Sequence, residues 1–325
     1  MMKGLFVLDP SSYDAIYGLP EREQINRLVE IYASPQTTQT VHQNPQVLEQ
    51  AEAIFSGWGC PVLTEDFLRH TPSLKVVFYG AGSIKYFVTD AFWERNIQVT
   101  SAYAANAVPV VEYCLGHILL GLKTTWQQAL LCRQKHTFER LPVAGAYGST
   151  VGLVSMGMIG RMLAERLKTF EVRILAYDPL LDEYPGVTLC SLDEIFIQSD
   201  VASVHTPWLK ETEGLITGAH LEMMKPYSTF INSSRGAIVR ETEMIAVLRQ
   251  RADLTAVLDV TYPEPPLADS PLYVLPNVIL TPHIAGSVGT ECQRMGKFMV
   301  EELRRYMGGQ PLKYALSRQQ VEKMA

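Results

Sequence analysis

The sequence predicts an α/β protein built from two doubly wound parallel sheets, and three observations carry that prediction. Short apolar runs alternate with helical patterns from one end of the chain to the other. A strand–turn–helix with the spacing of a dinucleotide fingerprint opens a second series of such runs at Thr150. Arg235, Glu264 and His283 each follow an apolar run, at the strand ends where open α/β sheets bind ligands.

The first series reads as strands at Lys3–Leu8, Ala53–Phe55, Leu74–Phe78 and Ile97–Thr100, with helical stretches such as Pro20 to Ala33 and Thr64 to His70 between them. The second reads as strands at Thr150–Val154, Val172–Tyr177, Val201–Val204, Thr229–Ile231, Leu254–Leu258 and Val278–Leu280. A long helical region, about Val108 to Lys135, separates the two series and is apolar all round its first half, as expected of a helix that crosses between domains or packs on a partner subunit. A last amphipathic stretch, Val288 to Met307, is placed to fold back onto the first domain. The expected division is therefore a discontinuous domain of residues 1–103 plus 287–325 and a second domain of residues 104–286.

Composition agrees with two globular domains: 325 residues, 47% hydrophobic and 19% charged. The net charge of -6 is spread along the chain, with no basic block to suggest nucleic acid. The start, Met1–Asp9, is interrupted by charge too soon for a signal peptide. Val108–Leu122 contains Pro109, Glu112 and His117 and falls short of the roughly 20 apolar residues of a membrane span. The five cysteines are scattered with no C-x-x-C pair, which fits free thiols in a reducing compartment and no metal site. Of the seven histidines, His42, His70, His136 and His220 have no neighbours that suggest ligation. A cytoplasmic protein with no nucleic-acid or membrane partner is expected.

After the strand Thr150–Val154 comes Ser155-Met-Gly157-Met-Ile-Gly160 and then a helical spacing. This is the unit that sets a pyrophosphate on a helix N-terminus. Gly157 permits close backbone approach to phosphates and Gly160 permits helix–sheet packing, but Ser155 stands where the usual pattern has the glycine of the tight turn. The next strand ends in Tyr177-Asp178-Pro179, and a carboxylate there accepts from a ribose 2′-hydroxyl and repels a 2′-phosphate. NAD is favoured over NADP.

Arg235 lies in Asn232-Ser-Ser-Arg-Gly236, Glu264 in Leu258-Asp-Val-Thr-Tyr-Pro-Glu-Pro265, and His283 in Thr281-Pro-His-Ile-Ala-Gly286. A guanidinium can grip a carboxylate and an adjacent carbonyl, and an imidazole backed by a carboxylate can pass a proton at neutral pH. A neighbouring carboxylate favours the protonated imidazole, so reduction is expected to slow as rising pH removes that proton.

These motifs resemble the D-isomer-specific 2-hydroxyacid dehydrogenase family. The resemblance runs through Thr150–Gly160, His205-Thr-Pro207 with Thr212, Met224-Lys-Pro226, Asn232–Val239, Leu258-Asp-Val260 and Pro282–Gly286, and reaches back to Gly80-Ala-Gly82 and Asn106–Glu112. It implies a Rossmann-type NAD-binding domain inserted into a flavodoxin-like substrate domain, a homodimer through the cofactor domain, and reduction of a small 2-oxo acid to a D-2-hydroxy acid. By the same resemblance Arg235 binds substrate, His283 is the acid and base, and Glu264 pairs with it. The amides of Ala81 and Gly82 hold the substrate carboxylate, with Tyr79 beside them. Ser155, Gly157, Met158, Ile159, Gly160, Asp178, His205, Thr206, Pro207, Ser233, Ser234, Arg235, Asp259, His283, Ala285 and Gly286 fall where the family meets its cofactor, Asp259 at the nicotinamide carboxamide.

The chain departs from that family at Ser155, at Met158, where a polar or basic residue is common, and at Tyr79 and Ser83-Ile-Lys-Tyr86, which alters the substrate pocket. His205 reads more readily as a structural residue of its turn. Besides the enzyme, a dinucleotide-sensing regulatory protein of the same fold remains open; oxidation of formate or phosphite ranks below both.

Overall fold

Strands buried on both faces need apolar side chains pointing both ways, so continuous apolar runs make parallel strands. The computed structural model describes residues 1–324 and holds twelve such strands in two parallel sheets. By backbone contacts the chain divides into two units: Met1–Ala107 with Ser287–Met324, and Val108–Gly286.

The first unit has strands β1 (Lys3–Phe6), β2 (Glu30–Ile31), β3 (Ala53–Ser56), β4 (Val76–Tyr79) and β5 (Gln98–Ser101) in the order β2-β1-β3-β4-β5. That is the flavodoxin-like order, with its switch point beside β1 and β3. Alternate residues feed two cores. Leu5, Ile54, Val77 and Val99 enter one, while Phe6, Phe55, Val76 and Phe78 enter the other with Met295, Met299 and Leu303 of the helix Cys292–Met307. The C-terminal segment is fastened by Glu302, a buried carboxylate that accepts from the Thr100 hydroxyl at 2.7 Å and from the amides of Lys313 and Tyr314 at 3.0 Å each.

The second unit has β6 (Thr150–Val154), β7 (Arg173–Tyr177), β8 (Thr188–Leu189), β9 (Val201–Val204), β10 (Thr229–Asn232), β11 (Thr255–Leu258) and β12 (Val278–Leu280). Their order, β12-β11-β10-β9-β6-β7-β8, is the Rossmann arrangement, which reverses direction between β6 and β9. Its two faces are again covered separately, one through Val154, Val204 and Phe230 and the other through Leu153, Ala176 and Ile231.

Besides the unexpected two-residue strand β8, three elements differ from the sequence expectation. The helix expected from Pro20 to Ala33 is Leu19–Leu28, and Glu30–Ile31 becomes the edge strand β2. The β-branched and aromatic residues Val29, Ile31 and Tyr32 suit that edge, where Gly4 of β1 leaves room for Ile31. The long helical region is two helices, Tyr103–Gly121 and Thr125–Lys135, broken where Thr124 takes a left-handed conformation (φ 51°). By length and composition Tyr103–Gly121 is apolar enough to cross a membrane, but Val111, Cys114 and Ile118 pack in the second unit's core. The stretch from Val288 begins with a 3-10 turn, and its helix starts only at Cys292.

Candidate active site

The fingerprint turn leaves β6 at Ser155, whose φ of 78° is the left-handed region that glycine adopts freely. Serine bears the conformational cost with two supports: its N–H donates to the Tyr177 carbonyl at 2.7 Å, and its hydroxyl lies 2.9 Å from that of Thr206. The remaining glycines do different work. A Cβ on Gly160 would stand 2.3 Å from the Ser155 carbonyl oxygen, so this position is closed to any side chain. A Cβ on Gly157 would meet no heavy atom within 4 Å. Gly157 caps the ten-residue helix Met158–Leu167, so open space lies beside the unpaired amides of a helix N-terminus. That space, with Asp178 at the end of β7, fits a dinucleotide. The Asp178 carboxylate accepts from the amides of Met156 and Leu180 at 2.8 and 2.9 Å and keeps lone pairs to spare. Met158 is exposed and Ile159 half-buried at the same turn.

The other expected cofactor residues divide by burial. His205 and Thr206 lie beneath the turn; neither His205 nitrogen has a partner among the described residues, and burial pulls its pKa down to about 4. It is a neutral packing group at physiological pH. Pro207 is half-buried, its carbonyl accepting from the Thr212 hydroxyl. Ser233 and Ser234 are buried with their hydroxyls engaged, on the Cys114 thiol at 3.0 Å and the Asn232 side chain at 2.9 Å. They shape the loop after β10.

That loop presents Arg235, half-buried, whose guanidinium donates to the Ser234 carbonyl at 2.6 Å. Burial lowers its pKa and the charge of Glu264 opposes the shift. The two loops are near each other because of Gly236: a Cβ there would stand 2.0 Å from the Thr261 carbonyl carbon, so only glycine lets the backbones touch. Glu264 follows on, between the cis peptides Tyr262–Pro263 and Glu264–Pro265. Its Oε1 lies 2.6 Å from His283 Nδ1, and both side chains remain partly exposed. The pair therefore holds one imidazole nitrogen and leaves Nε2 free to exchange a proton with a bound molecule. Asp259, at the end of β11, is buried and holds the loop carrying His283, Ala285 and Gly286, the last of which ends the unit.

In the first unit, the carbonyls of Ala81 and Gly82 both accept from the Ser101 hydroxyl, at 2.8 and 2.5 Å. Ala81 is fully buried and Gly82 partly so, and neither amide N–H has an acceptor among the described residues. Tyr79 is 1% exposed, and its hydroxyl meets that of Tyr86 at 2.7 Å. Any effect it has on the surface passes through Tyr86, which is 49% exposed and belongs to the divergent segment Ser83–Tyr86. The sequence assigns no role to Tyr113, and Thr281 enters only as the start of the His283 motif, two residues before the histidine.

The model of the D-isomer specific 2-hydroxyacid dehydrogenase NAD binding domain matches residues 116–285. This chain belongs to that family. Among other D-isomer specific 2-hydroxyacid dehydrogenases, it is 32% identical over 238 residues to the putative 2-hydroxyacid dehydrogenase YoaD of Bacillus subtilis, covering 69% of this chain and 68% of the relative. It is 30% identical over 263 residues to the D-3-phosphoglycerate dehydrogenase of Archaeoglobus fulgidus, covering 79% of this chain and 50% of the relative. It thus spans about half the length of the phosphoglycerate dehydrogenases it matches. The solved NAD-complexed D-isomer specific 2-hydroxyacid dehydrogenase of Lactobacillus delbrueckii shares the fold, with a TM-score of 0.79 and 22% identity over 97% of this chain and the whole of the other.

Proposed function

We propose that this dehydrogenase-family chain reduces a small 2-oxo acid to a D-2-hydroxy acid, with NADH held by the unit Val108–Gly286 and the other unit serving as the substrate domain. The observation that carries the reading is the 2.6 Å contact between His283 Nδ1 and Glu264 Oε1, with Arg235 on the loop that Gly236 packs against Thr261. Bound NADH supplies the hydride. His283, protonated and held by Glu264, gives the proton from Nε2 to the carbonyl oxygen, and takes it back in the reverse direction. Arg235 grips the substrate carboxylate and carbonyl with a charge-assisted fork, and the amides of Ala81 and Gly82 are the further donors assigned to the carboxylate. Asp178 supports NAD over NADP, because it accepts from a ribose 2′-hydroxyl and repels a phosphate there.

A homodimer through the cofactor unit belongs to the same reading. It is supported by the half-buried helix Thr125–Lys135 and by His117 Nδ1 and Trp126 Nε1, which are buried and have no hydrogen-bond partner among the described residues. A cytoplasmic setting is supported by the five free cysteines.

The test is oxidation of NADH, beside NADPH, against 2-oxo acids that differ in side-chain size and charge. Turnover of one subset is expected with NADH, and it should vanish in His283→Ala while NADH still binds. Activity retained in that variant would overturn the acid–base assignment. No turnover by a preparation that binds NADH would favour the sensor.

A further inference from the structure

His283 occupies a left-handed backbone conformation (φ 53°), which a bulky residue keeps only where its surroundings enforce it. Those surroundings converge on Asp259. Its Oδ1 accepts from the Thr281 hydroxyl at 2.7 Å and from the Ile284 amide at 2.8 Å, and its Oδ2 accepts from the Ala285 amide at 2.8 Å. Its backbone carbonyl accepts from the His283 amide at 3.0 Å. One 2%-exposed residue thus takes hydrogen bonds from residues on both sides of the histidine and from the histidine itself.

Thr281 has a second partner. Its hydroxyl lies 2.8 Å from that of Tyr113, on the helix Tyr103–Gly121. A hydroxyl has one proton to give, and Thr281 gives it to Asp259, an acceptor when ionised. Tyr113 must therefore donate to Thr281, which fixes the order as Tyr113 to Thr281 to Asp259. The Tyr113 ring packs on His117 at 4.4 Å between centroids, which steadies it on its own helix. Burial pushes the Tyr113 pKa up to about 12, so its hydroxyl keeps its proton throughout the neutral range.

We propose that Tyr113 is a positioning residue for the acid–base histidine: through Thr281 and Asp259 its hydroxyl holds residues 281–285 in the shape that sets His283 Nδ1 on Glu264. The inference rests on the proposed role of His283. Tyr113 touches no reacting atom. It orients the threonine that completes the coordination of Asp259, and that carboxylate enforces the loop. A helix of the cofactor unit is thereby coupled to the alignment of a proton donor three bonded contacts away.

The test uses the full chain with ring-labelled histidine and the variants Tyr113→Phe, Thr281→Val and Thr281→Ser. In Tyr113→Phe, kcat with the preferred 2-oxo acid is expected to fall roughly three- to tenfold, the loss of one neutral hydrogen bond, with KM and NADH affinity within about twofold. The downfield Nδ1 proton of His283, assigned by its loss in His283→Gln, should broaden or move upfield. Thr281→Val should show both effects more strongly, and Thr281→Ser, which keeps the hydroxyl, should match the unaltered protein. An unchanged proton signal in Tyr113→Phe and Thr281→Val overturns the proposal, whatever happens to kcat. Failure of Thr281→Ser to restore the signal overturns it equally. If the unaltered protein turns over no 2-oxo acid, the reading of function fails, and the NMR comparison still decides whether Tyr113 positions the loop.

Discussion

Alanine at Gly160 and alanine at Gly157 should separate the two tasks of the fingerprint glycines. At Gly160 the added carbon falls 2.3 Å from the carbonyl oxygen of Ser155 and 3.2 Å from its carbonyl carbon. Ordinary contact begins at 3.4 Å, so either the helix Met158–Leu167 or the turn must yield by about 1 Å. The turn resists, because Ser155 is already at φ 78° and its amide is tied to Tyr177 at 2.7 Å. Overpacking of this kind costs about 1–3 kcal/mol, equivalent to roughly 2–12 °C in Tm for a domain of this size. At Gly157 the added carbon meets nothing within 4 Å, and the effect on the NADH-free protein should stay within about 0.5 kcal/mol. That carbon would occupy the space assigned to the pyrophosphate, so NADH affinity should fall at least about tenfold, or 1.4 kcal/mol. Thermal unfolding of the NADH-free proteins measures the first quantity and quenching of NADH fluorescence the second. The reasoning is refuted if Gly157→Ala binds NADH like the unaltered protein, or if Gly160→Ala matches it in Tm.

Two further outcomes follow from buried polar groups. His205 has a folded pKa of about 4 and an ordinary unfolded value near 6.5, so the unfolded chain binds the extra proton between those limits. Its contribution is fully present above pH ~6.5 and is lost as pH falls toward ~4, a change on the order of 3 kcal/mol; urea unfolding across that window should show a shallower slope in His205→Gln, and an unchanged slope would remove the buried neutral histidine from the account. Glu302→Gln turns one of the two accepting oxygens into an NH2 donor that faces the hydroxyl and two amides now donating to the carboxylate, and should cost the first unit about 2–3 kcal/mol in urea unfolding. A loss below ~0.5 kcal/mol would mean that the C-terminal segment is held by something else.

Much of this was legible in the sequence because parallel strands buried on both faces leave an unbroken apolar signature. The runs at Thr150–Val154, Val201–Val204 and Val278–Leu280 coincide with observed strands, and the others agree within a few residues. What was not legible depends on partners distant in sequence. Glu30–Ile31 is a strand only because β1 lies beside it, and two residues carry no periodicity of their own. The burial of Tyr79 beneath Tyr86 follows from packing that no spacing records. The candidate acid–base pair was readable as types at strand ends, but not the reason its loops meet, which is the bare backbone of Gly236 against Thr261. Asp259 read as a ligand for the cofactor. Its three side-chain hydrogen bonds to residues 281, 284 and 285 give it a structural task as well.

The discontinuity of the first unit sets an order for biosynthesis. Residues of the helix Cys292–Met307, among them Met295, Met299 and Leu303, complete the core that Phe6, Phe55 and Phe78 begin. Until that helix is made, those three aromatic residues have only the cover of earlier residues such as Ile16, Tyr17 and Val29. The contiguous stretch Val108–Gly286 leaves the exit tunnel with its own sheet whole and can fold as a unit. The strands of the first unit thus wait for a helix translated after the second unit, and chaperone dependence in the cell should track those strands rather than the cofactor unit.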